Sequence, residues 1–251
     1  YKAYGIDHVL VTTHEDTWTE GADVGQGPQE YTMTLDAAPD CGGDAKLRWF
    51  MDEVRKLGYY VGPYTNYVDY SPSGASWDEA NVSRTATMDW EPAWPQTWRI
   101  RPLKAVEMSE YYAPRIHRKF GANTCYNDVH TALPPLWADM QAGTPGAGMM
   151  RTTFQAYGKL QMQQREAYGG PVFSEGGYHW YYAGLIDGSY GQINLPNRLA
   201  LPLIPDFDLR KIHPKSADIA MSPGYIYDGA SLHQLLAAAI AYGHIGYLPE
   251  S

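Results

Sequence analysis

One pattern of apolar and polar positions recurs along the chain: an amphipathic helix, a glycine, a short apolar strand and a polar tip. In the first copy, apolar residues at helical spacing predict a helix over 44–57, and Gly58 follows as a stop signal. The apolar run 59–64 then predicts a strand, which ends at Asn66 with Asp69 close behind. The recurrence predicts a chain in which helices and strands alternate.

The same spacing rules assign the remaining elements. In chain order they are a strand over 6–11, a helix over 102–120, a strand over 122–126, a helix over 149–168, a strand over 171–173, strands over 199–204 and 219–221, a helix over 232–242 and a strand over 245–248. A glycine directly follows each of the four predicted helices, and the first three are interpreted as helix stops.

Strands that alternate with helices predict an α/β fold with a parallel sheet. The short apolar strands favour a (β/α)8 barrel of the TIM type, incomplete or irregular here because fewer than eight strands are recognisable. The missing strands are expected before residue 1 or within the Trp-rich stretch 77–98. An open nucleotide-binding sheet is disfavoured because no Gly-rich phosphate loop follows the first strand. We expect 1–251 to form one catalytic barrel domain, a segment of a longer chain with flanking domains.

Composition adds a hint about the ligand. The chain has 21 Tyr and 8 Trp but only 5 Phe, and 44% of its residues are hydrophobic. Tyr and Trp combine a flat apolar face with a hydrogen-bonding edge, which suits a cleft for pyranose rings but also suits helix–sheet interfaces. The Trp-rich stretch 77–98 is accordingly interpreted as a sugar platform or as a loop folded on its own aromatic rings.

Charge and hydropathy exclude some partners. The net charge of −9 excludes the basic footprint of a nucleic-acid-binding protein. No apolar run reaches the length of a membrane-spanning helix, so no membrane insertion is expected. The acidic, aromatic-rich composition favours an extracellular or periplasmic location, although no signal peptide is recognisable.

Polar side chains collect directly after the predicted strands, where the active rim of a barrel lies. Asp128 and Glu175 each follow a short apolar strand on consecutive units, and such a carboxylate pair is what glycoside hydrolysis requires. An apolar setting among Phe173, Tyr178 and Trp180 predicts a raised pKa for Glu175, as an acid catalyst needs. Asp128 is then the ionised nucleophile, and neither a metal nor another cofactor is required.

A further group of residues near strand ends offers hydrogen-bond donors and acceptors for sugar hydroxyls. The predicted substrate-binding residues are His14, Asp16, Asn66, Asp69, His130, His179, Trp180, Asp206 and His244.

Two alternatives stay open. Histidines and aspartates around a barrel mouth also hold metal ions in metal-dependent hydrolases, and His14-Glu15-Asp16 partly matches the start of such a site. The other alternative is a non-catalytic carbohydrate-binding barrel, against which the presence of both Asp128 and Glu175 argues.

Four segments together resemble the catalytic barrel of the endo-α-N-acetylgalactosaminidase group of glycoside hydrolases and their uncharacterised relatives. They are Gly62-Pro63-Tyr64-Thr65-Asn66-Tyr67, Tyr126-Asn127-Asp128-Val129-His130, Phe173-Ser174-Glu175-Gly176-Gly177 and Ala241-Tyr242-Gly243-His244-Ile245-Gly246.

The resemblance implies a retaining enzyme that acts on an α-linked oligosaccharide or glycoconjugate. Asp128 would be its nucleophile and Glu175 its acid/base, Asn66 would contact the sugar, and His14 with Asp16 would hold the terminal sugar. The chain departs from the family where Glu15 separates a His and an Asp that are adjacent there. The family's β-sandwich domains are missing from these residues, and the sugar stays open.

Overall fold

The computed structural model describes residues 2–5, 7–13, 18, 34–74, 76–95, 97–175, 178–191 and 217–220. Its main feature is a six-stranded sheet in which all neighbouring strands are parallel. In spatial order the strands are β1 (Leu10–Thr13), β2 (Tyr60–Thr65), β5 (Cys125–Asn127), β6 (Val172–Glu175), β7 (Gly188–Gly191) and β8 (Ala217–Ala220).

Three helices connect and cover these strands: α1 (Gly43–Lys56), α2 (Pro102–Phe120) and α3 (Met150–Tyr168). α2 begins with a proline, which lacks the N–H that the first turn of a helix leaves unpaired. It ends at Gly121, whose φ of 76° lies in the left-handed region and closes the helix with a hydrogen bond to the carbonyl of His117. No helix in the described part of the chain has the length and hydropathy of a membrane span.

Several sequence predictions are confirmed. The three helices predicted within the described residues are present, with ends within one residue of the expected positions. The predicted strands that precede Asn66, Asp128 and Glu175 are present as the parallel neighbours β2, β5 and β6. The predicted elements at 199–204, 232–242 and 245–248 lie outside the described residues.

The Trp-rich stretch differs from the prediction that it hides a strand of the main sheet. Two short strands, β3 (Asp69–Tyr70) and β4 (Trp98–Arg99), border this stretch and pair with each other in antiparallel orientation. Isolated antiparallel bridges such as Arg84 with Trp90 continue this small layer. The described residues of this stretch therefore contribute no strand to the six-stranded sheet, and a position before residue 1 stays the other place expected for the missing strands.

The parallel sheet with its helices is the α/β fold that the sequence predicts. Within the described ranges the sheet is open, since β1 and β8 are its two edges and no pairing joins them.

The two faces of the sheet carry different side chains. One face packs with α1 and α2 into a core that includes Met51, Val61, Phe120 and Val172. The opposite face carries a row of aromatic residues, in which Tyr64 of β2 pairs in register with Tyr126 of β5. Phe173 of β6 stands next to Tyr126 in the same row. Because side chains alternate between faces, the residue two positions beyond each ring lies on this second face.

Candidate active site

Three polar residues end the aromatic row. Asn66, Asp128 and Glu175 each stand two positions after a ring of that row, at the carboxyl ends of β2, β5 and β6. Strand register therefore brings together three side chains that are 47 to 109 positions apart in sequence. Ligand sites of parallel α/β sheets lie at this end of the strands.

Asp128 is held by side chains from two strands. The hydroxyl of Tyr64 donates a short hydrogen bond to Oδ2 of Asp128, and the hydroxyl of Tyr126 donates to Oδ1 at 3.1 Å. The Nδ2 amide of Asn66 also lies 3.5 Å from Oδ2. The carboxyl group of Glu175 is in hydrogen-bonding contact with Asp128. Donors to a carboxylate stabilise its ionised form, so the hydroxyl and amide donors favour a charged Asp128, whereas the contact with the Glu175 carboxyl favours a protonated one.

A strained turn links the two carboxyl groups. Val129 has a φ of 64°, an unfavourable value for a β-branched residue, and the amide of His130 donates to the carbonyl of Asp128 at 2.7 Å across it. The turn directs the amide N–H of Val129 onto Oε2 of Glu175 at 3.0 Å. Thr131 donates its hydroxyl to the main-chain carbonyl of Glu175, which ties the loop to β6.

The two carboxyl groups influence each other's charge. Burial raises the pKa of Asp128 well above its usual range, and the neighbouring Glu175 carboxyl raises it further, while the hydrogen bond from Tyr64 lowers it. Two carboxyl groups in contact cannot both ionise cheaply, so the pair retains one proton over a wide pH range. The sequence led us to expect desolvation at Glu175 and an ionised Asp128, and the structure shows strong desolvation at Asp128.

Asn66 and Asp69 support the site from beneath. Asn66 is fully buried, and its Oδ1 accepts the amides of Val68 and Asp69 at 2.9 Å each. Its Nδ2 donates to Oδ2 of Asp69 at 2.7 Å, while Oδ1 of Asp69 accepts the amide of Trp94 at 3.1 Å. Burial raises the pKa of Asp69. Both residues were predicted to contact substrate, and the structure instead engages their polar atoms with the protein.

His130 was also predicted to bind substrate, yet its side chain is only 1% exposed. Its Nδ1 lies 2.7 Å from the carbonyl of Asp128, and because a carbonyl only accepts, Nδ1 carries the proton. The ring packs near Tyr67 and Tyr157, and its buried Nε2 has no hydrogen-bond partner in the described part of the chain. Burial lowers the pKa of His130 to about 4, so the ring is neutral at physiological pH.

Most of the Trp-rich stretch is structural. The rings of Trp77, Trp90 and Trp98 form a continuous edge-to-face series with centroid separations of 5.4 and 5.3 Å, and Tyr70 packs on its end at 4.7 Å. These contacts agree with a loop folded on its own aromatic rings. Trp94 is the exception, since 63% of its surface is exposed while its amide bonds to Asp69.

The other predicted site residues have no description here. His14, Asp16, Asp206 and His244 lie outside the described residues, as do the side chains of His179 and Trp180. In the ranges that the structure does describe, no cluster of three His, Cys, Asp or Glu side chains with metal-binding geometry occurs.

Sequence reasoning missed two residues of the site, Tyr64 and Tyr126. Both were assigned only to predicted strands, yet their hydroxyls donate hydrogen bonds to the carboxylate of Asp128. The available signal was their position two residues before Asn66 and Asp128, which places each ring on the same face as the polar side chain that follows it.

Comparisons with known proteins address the fold. No family model and no curated protein sequence matches the chain. Among solved structures, it is similar to ligand-free α-N-acetylgalactosaminidase NagBb from Bifidobacterium bifidum, with a TM-score of 0.61 and 18% identity over 78% of this chain and 32% of that one. The complex of NagBb with GalNAc gives a TM-score of 0.59 and 16% identity over 75% of this chain and 30% of that one.

The chain thus spans about a third of the length of NagBb. At these identities the likeness concerns the fold alone. The resemblance to a glycoside hydrolase barrel, inferred from short sequence segments, is confirmed at that level: the described sheet and helices have the fold of part of a TIM-barrel glycosidase.

Proposed function

We propose that this chain carries the catalytic centre of a retaining glycoside hydrolase that cleaves an α-linked glycoside. The observation that carries the proposal is the contact between Asp128 and Glu175 at the ends of neighbouring strands β5 and β6. Two carboxyl groups in contact, one of them strongly desolvated, perturb each other's protonation, and such perturbed groups cluster at catalytic sites. The likeness to NagBb supports both this activity and a closed (β/α)8 barrel in the full-length protein.

The two carboxyl groups divide the chemistry. Ionised Asp128 attacks the anomeric carbon and forms an ester bond to it, while the bond from that carbon to the leaving oxygen breaks. Burial favours the shared proton on Asp128 in the protein alone, so the reactive arrangement requires it to have moved to Glu175, which delivers it to the leaving oxygen. Glu175 then takes a proton from water, whose oxygen attacks the same carbon and releases Asp128.

The spacing of the pair favours retention of configuration. Inverting glycosidases separate their carboxyl groups by about 6.5–9.5 Å to admit a water molecule between carboxylate and sugar, and retaining enzymes keep them about 5–5.5 Å apart. The contact between the Asp128 and Glu175 carboxyl groups supports the shorter of these two separations.

The substrate proposed first is an α-linked N-acetylgalactosaminide of an oligosaccharide or glycoconjugate, because NagBb is an α-N-acetylgalactosaminidase. The test uses aryl α-N-acetylgalactosaminide, with the α-galactoside as a comparison. NMR of the first-formed sugar should show the α-anomer. A β-anomer as first product would contradict retention, and loss of hydrolysis in chelator would favour a metal-dependent hydrolase.

The roles are tested by Asp128→Asn and Glu175→Gln, each expected to lower kcat by about 10³-fold or more. The matched control is Glu107→Gln, an exposed carboxylate on α2, which should leave kcat unchanged. Azide added to Glu175→Ala should yield the α-glycosyl azide, because azide then attacks the intermediate that Asp128 has formed. Full activity in Asp128→Asn, checked by mass spectrometry for deamidation, would overturn the assignment.

A further inference from the structure

The described charged groups nearest to Asp128 are acids. Glu175 approaches it from β6, and Asp69 adds a second negative charge from β3. His130 is bound to the main-chain carbonyl of Asp128, and burial keeps its ring neutral. Within the described ranges no lysine or arginine lies in ion-pair contact with Asp128. An ionised Asp128 therefore depends on neutral hydrogen-bond donors.

Tyr64 is the donor best placed for this task. Its hydroxyl donates to Oδ2 of Asp128, the oxygen that Asn66 also approaches, and this hydrogen bond lowers the pKa of Asp128. The residue is 3% exposed, and its carbonyl accepts the indole N–H of Trp18 at 3.1 Å. Strand β2 pairs with β1 on one side and with β5 on the other, so the main chain of Tyr64 is held in place by the sheet.

We propose that Tyr64 is a positioning residue that fixes Oδ2 of Asp128 and keeps this carboxylate ionised beside the protonated Glu175, an inference that rests on the proposed function. Tyr126 of β5 donates to Oδ1 at 3.1 Å and contributes less, since the hydrogen bond from Tyr64, and none from Tyr126, is among the main influences on the pKa of Asp128. Tyr64 itself neither touches the reacting bond nor transfers a proton.

The first test is the pH dependence of kcat/KM in Tyr64→Phe. Loss of a hydrogen bond to a charged group should move the lower apparent pKa upward by about one unit, so activity on the acid side falls about tenfold. The upper apparent pKa, which reports the acid catalyst, should stay in place. Tyr126→Phe is the matched control and should move the lower limb less. An unchanged lower limb in Tyr64→Phe, or a larger shift in Tyr126→Phe, would overturn the proposal.

A second variant distinguishes the loss of the Tyr64 hydrogen bond from a change in packing around its ring. 3,5-Difluorotyrosine at position 64 keeps the hydroxyl and makes it a stronger donor, so the lower limb should move in the opposite direction, toward lower pH. A mere packing role for Tyr64 predicts no opposite shift, and that result would also overturn the proposal.

A readout without turnover separates this inference from the proposed function. In protein labelled with ¹³C at the aspartate carboxyl carbon, the Asp128 resonance is identified by its loss in Asp128→Asn. Its titration midpoint should rise by about one unit in Tyr64→Phe. If this shift is observed but no glycoside is hydrolysed, the role of Tyr64 is supported and the proposed glycosidase activity is rejected. If the enzyme is active but the shift is absent, the glycosidase activity is supported and the proposed role of Tyr64 is rejected.

Discussion

Two neighbouring loop regions bury carboxylates in opposite ways. In the layer formed by β3, β4 and the residues between them, Glu91 is paired with the Arg99 guanidinium at 2.8 Å, and both side chains are largely buried. At the ends of β5 and β6, Asp128 and Glu175 have each other as charged neighbours. In the first region a guanidinium pairs with the buried carboxylate, and in the second two carboxyl groups lie next to each other.

A second ion pair of this kind lies beside the first region, where Arg101 is 3.4 Å from the buried carboxylate of Asp139. Compensated carboxylates of this kind hold loops in place, and they respond to loss of the cation by losing stability. Among the described residues Asp128 has no cation in ion-pair contact, and perturbed carboxyl groups of this kind cluster at functional sites. The difference shows that burial alone does not distinguish a structural carboxylate from a candidate catalytic one, and that the charges around it must be compared as well.

The largest expected effect tests the compensated region. Arg99→Met leaves Glu91 and the nearby Asp69 buried without their cation, so the free energy of unfolding should fall by about 3–5 kcal/mol. Urea unfolding followed by tryptophan fluorescence measures the change. Adding Glu91→Leu to Arg99→Met should restore much of the loss, because the uncompensated charge is then removed.

The control is the exposed ion pair between Lys159 and Glu110, which joins α3 to α2. Lys159→Met should change the free energy of unfolding by less than about 1 kcal/mol, since solvent screens exposed pairs. Equal effects of Arg99→Met and Lys159→Met would remove the distinction between the two regions.

An intermediate effect is expected from His130, whose ring lies between the regions. Its pKa is about 4 in the folded protein and about 6.5 when unfolded, so the unfolded chain binds the proton first as pH falls. Stability from this residue is therefore complete above about pH 6.5 and declines toward pH 4, by up to about 3 kcal/mol.

The raised pKa values of Asp69 and Asp128 act in the opposite sense, since the folded protein binds their protons first. The His130 contribution is isolated by comparing the wild type with His130→Asn, whose amide can replace the Nδ1 donor. Urea titrations at pH 7 and pH 5 should show a smaller loss of stability on acidification in the variant. Parallel losses in both proteins would contradict a buried neutral histidine.

The sequence predicted the elements whose signals are local. The helix over 102–120 was found with the observed bounds, because its apolar periodicity, initial proline and terminal glycine agree. The strands before Asp128 and Glu175 were found because they are apolar and glycine precedes them. β7 (Gly188–Gly191) was missed because its sequence GSYG carries no apolar run. Its extended conformation is stabilised by pairing with β6 and β8 instead.

The arrangement of side chains in the candidate site could not be predicted from local sequence patterns. Register between β2 and β5 sets Tyr64 beside Asp128, and a one-residue slip would turn that ring to the other face. The burial of Asn66, Asp69 and His130 likewise follows from the layer that β3 and β4 form, which the sequence analysis treated as a loop. Charge compensation is therefore a tertiary property that sequence position alone does not report.

The smallest expected effect has the opposite sign to the first and tests the uncompensated region directly. Asp128→Asn should raise the free energy of unfolding at pH 7 by about 1 kcal/mol, because the amide removes a buried charge next to Glu175 and keeps an acceptor for Tyr64. The matched change Asp139→Asn should lower stability, because it takes a compensated charge from Arg101.

The pH dependence of the Asp128→Asn gain provides the decisive check. The pKa of Asp128 is raised in the folded protein, so the cost of its charge is present at neutral pH and disappears as pH falls through that folded value. The stability gain of Asp128→Asn should accordingly shrink in urea titrations carried out toward pH 4. A gain that stays constant with pH would assign it to packing, and a loss at pH 7 would mean that Asp128 is compensated after all, in the same way as Glu91.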